Sequence, residues 1–284
     1  MKKILFIFTI TLLLNGCAGI SSRIAPVAFE DPMTRLGIVN VQPTAQEQAG
    51  VLLRFEAPAV NILKSTEETV MFGQIKENEG KEIRVNVERV ETYQPGGRQN
   101  TYLVHAECTV DEHPRAIVED IEVTDRGEIV KFIRAVHDSK AGKFKVTDWK
   151  RTPLLPEGHV KIGDAWSYQE SVTLQIDSFW IKQKDASPYQ IEAKSKLTGF
   201  AEVRGARCAV IETEANQRQD HRFKFLWKDI ALDVRAKIRE TAYLDYQKGV
   251  ILAKIARTET DTTSPDAGTA DHSISQTLSW VLSQ

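Results

Sequence analysis

From residue 51 onward, apolar and polar residues alternate along most of the chain. Ile83, Val85 and Val87 share one parity and Arg84, Asn86 and Glu88 the other, which is the two-residue period of a strand with one buried face. The apolar parity then shifts to Val90 and Thr92, predicting a β-bulge near Glu88 or Arg89, where an extra residue bends the strand. Gln94-Pro95-Gly96-Gly97 reads as a turn and residues 101–110 as the returning strand. Residues 116–124 and 128–136 flank Asp125-Arg126-Gly127 as a hairpin, because a glycine tolerates the positive φ at which the chain reverses. Residues 143–149 add one more strand.

Residues 150–165 break the alternation with Pro153, Pro156, Gly158 and Gly163 and read as a joint between two halves. Trp166 follows the turn at Gly163-Asp164 as an anchor, and residues 167–176, 189–203, 207–214 and 222–227 read as extended. Leu232, Val234, Ala236 and Ile238 alternate with Asp233, Arg235 and Lys237, so a period of 2 describes this segment better than 3.6. The hairpin around Tyr246-Gln247-Lys248-Gly249 echoes the one at 125–127: each has an aspartate before a glycine and then an apolar strand, which leaves a duplication open. Residues 273–282 form a last strand. The expected fold is mainly β, a long antiparallel meander forming a curved sheet or incomplete barrel, with halves at 51–149 and 166–284. A β-sandwich is the alternative.

Before residue 51 the pattern is different. Ser21, Ser22, Pro26, Pro32 and Pro43 punctuate a polar stretch without periodicity, so residues 17–50 read as a flexible tether with room for a short helix within 44–49. Residues 1–16 have the parts of a signal peptide: Lys2 and Lys3, then an uncharged run over 4–14 that falls short of the about 20 apolar residues a spanning helix requires. Leu14-Asn15-Gly16-Cys17 resembles the lipobox of bacterial lipoproteins, with Asn15 departing from the small or hydroxyl residue usual at its position. The resemblance implies lipidation of the Cys17 thiol, by diacylation, and removal of the signal. Ala18, where an aspartate would retain the protein in the inner membrane, implies the outer membrane, facing the periplasm. One acyl chain anchors marginally and two or more hold firmly, so the membrane is the first expected partner. An ordinary secretory signal with an incidental cysteine is the alternative.

Charge narrows the remaining possibilities. Removing the signal leaves 35 basic against 39 acidic residues, a net of −4 compared with −2 for the whole chain, and no basic patch points to nucleic acid. With Cys17 acylated, Cys108 and Cys208 remain as a pair in an oxidising compartment, where a disulfide between them would close a long loop. The competing reading is of small buried apolar residues, since Cys108 shares a face with Tyr102, Val104, Ala106 and Val110.

Candidate chemistry is sparse. The six histidines are scattered without metal-ligand spacing, so neither a metal nor a cofactor is expected. His105-Ala106-Glu107-Cys108 matches half of a deaminase signature but has no Pro-Cys-x-x-Cys partner, and reads as strand surface. Glu119, Asp120 and Glu122 could pair for glycoside hydrolysis, yet acidic residues on the wet side of strands are ordinary. No nucleophile elbow, phosphate loop or dinucleotide glycine triad is present, and an enzyme is not expected. The positive candidate is aromatic: Phe223, Phe225 and Trp227 share one strand face, opposite Arg222 and Lys224, and either line an apolar cavity or fill a core.

A lipobox, a polar tether and a long antiparallel meander together resemble β-rich envelope lipoproteins of the LolA/LppX-like group, in which an incomplete barrel wraps a lipid-binding cavity. The likeness is one of plan, and only the lipobox is a shared residue motif. It implies a membrane-anchored, non-catalytic protein that binds a lipid or another apolar molecule in its curved sheet. The alternative is a tethered structural or protein-interaction module of an envelope assembly, with strand edges recruiting a partner protein.

Overall fold

In chain order the elements are α1 (Pro32–Leu36), β1 (Ile38–Val41), α2 (Ala45–Ala49), β2 (Val51–Leu52), β3 (Ile62–Gly73), β4 (Glu82–Pro95), β5 (Thr101–Val110), β6 (His113–Thr124), β7 (Ile129–Ser139), β8 (Gly142–Arg151), β9 (His159–Val160), β10 (Ala165–Asp177), β11 (Ile181–Asp185), β12 (Pro188–Val203), β13 (Ala206–Phe225), β14 (Lys228–Asp245), β15 (Val250–Ser264) and β16 (Thr269–Ser283). The computed structural model describes residues 31–57, 61–73, 82–110, 113–139, 142–177, 181–185, 188–225, 228–264 and 269–283.

Twelve of these strands close into one antiparallel barrel. Most neighbours around the wall are sequence neighbours, and two seams finish the ring: β3 pairs with β16, from Gly73 opposite Ser273 to Lys64 opposite Ser283, and β8 pairs with β10. The first half contributes β3 to β8 and the second β10 and β12 to β16. The expected meander is therefore present, and its two halves are the two sides of a single wall. Residues 207–214 and 222–227, separate strands by sequence, belong to one strand up to Phe225, β13.

Alternation assigns the faces. On β14, Leu232, Val234, Ala236 and Ala242 are buried and point inward, while Arg235, Lys237 and Arg239 are exposed outside. The neighbouring outward positions are also charged, with Glu192 and Lys194 on β12 and Glu212 and Glu214 on β13. A bilayer-embedded barrel carries an apolar band outside. The wall at these strands is built for water, and among the described residues no helix is long and apolar enough to cross a membrane.

The bulge expected near Glu88 or Arg89 is absent. From Ile62 opposite Thr92 to Phe72 opposite Glu82, β3 and β4 stay in unbroken register, and the inward parity continues from Val85 and Val87 to Arg89, Glu91 and Tyr93. Val90 faces out and is 38% exposed. The apolar parity shifts because this wall turns two charged residues inward, where they pair with each other. Register shifts lie elsewhere, for example between Leu197 and Gly199 and between Thr173 and Leu174.

The expected tether at 17–50 requires correction over residues 32–49, while 17–30 lie outside the described residues. Asp31 caps α1 by accepting from the Met33 amide at 3.2 Å, and Leu36 and Ile38 bury against Val203, Tyr243 and Ala253 on the outer wall, with Trp280 alongside. Strand β1 pairs with the end of β12, Ile38 opposite Val203. The helix expected within 44–49 forms as α2, under a reciprocal capping box between Thr44 and Glu47. Residues 32–49 are thus docked. The signal segment and Cys17 lie outside the described residues.

Candidate functional site

One end of the barrel is closed from inside. The segment after β2 and the joint at 152–164 enter the base together, joined by Val51 opposite Val160 and Leu52 opposite His159. Leu53, Leu155, Leu197, Phe200, Ile211 and Leu244 form the apolar core there. Two hairpin turns clamp this plug: the Phe55 amide donates to the Asp125 carbonyl at 2.6 Å and the Glu56 amide to the Gly249 carbonyl at 3.1 Å. These are the two turns whose sequences echo each other. Arg54 pairs with Asp125 at 3.3 Å and donates to the carbonyls of Pro156 and Glu157, while Trp166 Nε1 donates to the Leu154 carbonyl at 2.7 Å, so Trp166 is an anchor as expected.

Above the plug, charged side chains converge on the lumen. Arg89 Nε meets Glu91 at 2.6 Å and its Nη2 reaches over β5 to Glu119 on β6 at 2.9 Å. Lys254 Nζ donates to Glu240 at 3.2 Å, Trp149 Nε1 to Glu170 at 2.5 Å, and Ser279 to Glu67 at 3.3 Å. Their fields interlock around the ring. Arg89 acts on Arg151 of β8 and on Lys254 of β15, and Glu240 acts on Tyr168 of β10. Burial pulls the Arg151 guanidinium below its ordinary value, with Glu170 opposing, whereas Glu240 raises the Lys254 ammonium against the effect of burial. Burial, reinforced by Glu170, pushes the Tyr189 hydroxyl up to about 12, so it stays a neutral donor.

This belt is enclosed but not packed solid. Lys254 lies mid-strand in a closed wall, facing inward, yet its side chain is 39% accessible, and that of Arg89 31%. Eight strands make a barrel that side chains just fill, and more strands leave space. Beyond the belt the lumen has two characters. On β4 to β10 the described side chains include inward Val85, Val110, Val146 and Val172, all buried. On β13 to β16 they mix Leu232 and Val234 with Gln219, His221, Thr262 and Ser275, all buried. Burial holds His221 down at about 4, against the pull of Asp220, so its imidazole is neutral at physiological pH.

The sequence candidates are distributed differently. Cys108 faces the lumen, 3.5 Å from an Arg89 nitrogen, and Cys208 is buried in the outer cluster under Leu36 and Ile38. Both thiols are free. The disulfide is overturned because the two residues occupy opposite faces of the wall. Of the acidic trio, Glu119 points in, Asp120 points out to pair with His105 at 2.5 Å and with Arg134, and Glu122 secures the turn at Gly97. His105 and Glu107 are strand surface, as read, and among the described residues no metal-binding cluster occurs. Phe223 and Phe225 pair with Ile230 and Lys228 in the β13–β14 ladder, but their side chains, and Trp227 altogether, lie outside the described residues. The belt residues Arg89, Glu91, Arg151, Glu240 and Lys254 escape sequence reading, and Glu119 is read there as wet surface, since an inward charge has the pattern of an outward one. The one signal was the lost apolar parity after Val87.

A scan against models of protein families finds none that matches the chain, and a search of curated proteins finds no match either.

Proposed function

We propose that the chain is a lipoprotein of the bacterial envelope, held in the outer membrane by acyl chains on Cys17 and facing the periplasm, whose barrel takes up an amphipathic molecule without covalent chemistry. The ligand class is a lipid or a comparable compound with a polar head and an apolar body. The observation that carries this reading is the accessible interior at Lys254 and Arg89 beside the buried valines of β4 to β10. A head placed at the belt would exchange hydrogen bonds with Arg89, Arg151, Lys254 and Tyr189, while the apolar body lies along the valine side. Paired charges suit such a role, because they can re-partner with a polar ligand without leaving a buried ion bare. Barrel closure also weighs against a module that recruits partners by strand edges, since the wall offers few of them: β1 pairs on one side only and β11 is short.

The test is extraction and mass spectrometry of protein isolated from its own envelope, together with uptake of a fluorescent lysophospholipid by the same preparation. About one amphipathic molecule per chain is expected, reduced in Val172→Trp, which fills the lumen. A preparation that carries no such molecule and takes up no probe would sink the proposal.

A further inference from the structure

The exposed large apolar residues are not spread evenly over the barrel. Among the described residues, seven large apolar residues are exposed: Val39, Leu52, Ile62, Ile162 and Leu282, 40 to 61% exposed, lie at the plugged end, and only Val90 and Ile133 lie elsewhere, on the outside of β4 and β7. Leu52 and Ile162 belong to the plug itself, one in β2 and the other just after β9. Ile62 opens β3, five positions before the belt residue Glu67, and Leu282 lies three positions past the belt residue Ser279. Val39 pairs with Glu202, beyond the core residues Leu197 and Phe200. Single exposed apolar residues are ordinary on a protein surface; their concentration at one pole is not.

The same pole is within reach of the anchor. The chain enters the described structure at Asp31, beside the outer wall, and Arg204 at the β12–β13 turn donates from its guanidinium to the Val281 carbonyl and from its amide to the Gly37 carbonyl. Fourteen residues separate Cys17 from Asp31, which sets an upper limit of about 50 Å on the distance between them. Exposed Lys64, Lys161, Arg204 and Lys248 accompany the apolar side chains, but so do Glu56, Glu157, Asp164 and Glu202. Net charge therefore does not select the surface, and apolar insertion must.

We infer that the plugged end is a lipid-docking face: Val39, Leu52, Ile62, Ile162 and Leu282 enter the interfacial layer of the bilayer that holds Cys17, so the barrel stands on its plug with the other end turned away from that membrane. The inference rests on the proposed acylation of Cys17. An occupant of this chemistry fits because an acylated Cys17 only 14 residues before Asp31 keeps the barrel close to the headgroups, where even shallow insertion of a few apolar side chains is favourable.

The test uses the full acylated protein in vesicles of phosphatidylethanolamine and phosphatidylglycerol that contain lipids brominated near the headgroup. Tryptophan fluorescence is read in Ile162→Trp and in Lys237→Trp, with the wild-type signal subtracted. Lys237 faces out on β14, seven residues and about 23 Å along the strand from Leu244 in the plug core. Quenching about threefold or more stronger at position 162 than at 237 is expected, since inserted side chains sit about 5–10 Å into the interface. Equal quenching at the two positions in protein that floats with the vesicles overturns the docking face while leaving the anchor intact. Protein that does not float and carries no acyl group overturns the anchor instead, and the orientation with it. Near-ultraviolet circular dichroism of each variant establishes that the barrel is folded before quenching is compared.

Discussion

Glu47 shows how one residue secures the docked segment. It is almost fully buried, and both carboxylate oxygens engage Arg207, at 2.6 and 2.7 Å, while Tyr246 donates at 2.7 Å and the Thr44 amide at 2.6 Å. Arg207 in particular, against the cost of burial, holds the carboxyl at about 2, compared with an ordinary 4.5. A carboxyl depressed by folding stabilises fully above its unfolded value and loses that contribution as pH falls toward the folded one. Glu47→Gln should therefore lower stability in urea by about 2 kcal/mol at neutral pH. That difference from wild type should shrink as pH falls from 4.5 toward 2; a difference independent of pH would show that the ion pair is not its source. The two internal cysteines make a second residue-scale prediction. Burial raises both thiols, Cys208 to about 12, so a thiol reagent should label neither quickly in the native protein and both after denaturation without reductant. Recovery of a linked Cys108–Cys208 peptide would contradict the opposite-face placement.

At the scale of elements, the plug closes one end of the barrel. Its two clamping turns each carry a glycine with positive φ, +78° at Gly127 and +67° at Gly249, and the plug backbone passes close to the second. A Cβ on Gly249 would lie 2.3 Å from the Glu56 nitrogen, so Gly249→Ala has to displace that backbone. Gly158, without positive φ and with no atom within 4 Å of such a Cβ, is an unconstrained reference. Gly249→Ala should lower the urea midpoint by the equivalent of about 2 kcal/mol or more, while Gly158→Ala stays within about 0.5 kcal/mol. Hydrogen exchange should localise the loss to residues 51–56 in the Gly249 variant. Unchanged protection there would mean that the turn does not hold the plug.

At the scale of the molecule, the proposed anchor at Cys17 would hold in place a barrel whose β12 to β14 wall carries charged residues outside. Cys17→Ser removes the nucleophilic thiol while leaving the signal, so fatty-acid labelling should disappear and the protein should appear either in the soluble fraction or as uncleaved precursor. Labelling that survives the substitution would remove the basis for the proposed location and for the orientation on the plug. Measuring lysophospholipid uptake in the same variant separates the proposed anchoring from the proposed binding: uptake should persist, because the lumen lies within β3 to β16.

The sequence by itself determined the strand content, most turns, the anchor expectation and the division into two sets of strands at the joint, because these rest on local chemistry: period-2 alternation, glycine and proline punctuation, and a thiol after a short apolar run. It did not determine which way a charged strand residue points. Arg89 and Glu91 look like surface residues in any window around them and are interior only because β3 pairs with β16 and β8 with β10, contacts between residues far apart in the chain. Closure likewise decided that Cys108 and Cys208 stand on opposite sides of the wall, and that residues 51–56 and 152–164 meet inside the base. Residues 32–49, polar and aperiodic, became ordered for the same reason: Leu36, Ile38 and Glu47 find their tertiary partners, such as Val203 and Arg207, on a wall assembled much later in the chain. Local pattern specifies the faces of a strand, and the pairing of distant strands specifies which face is inside.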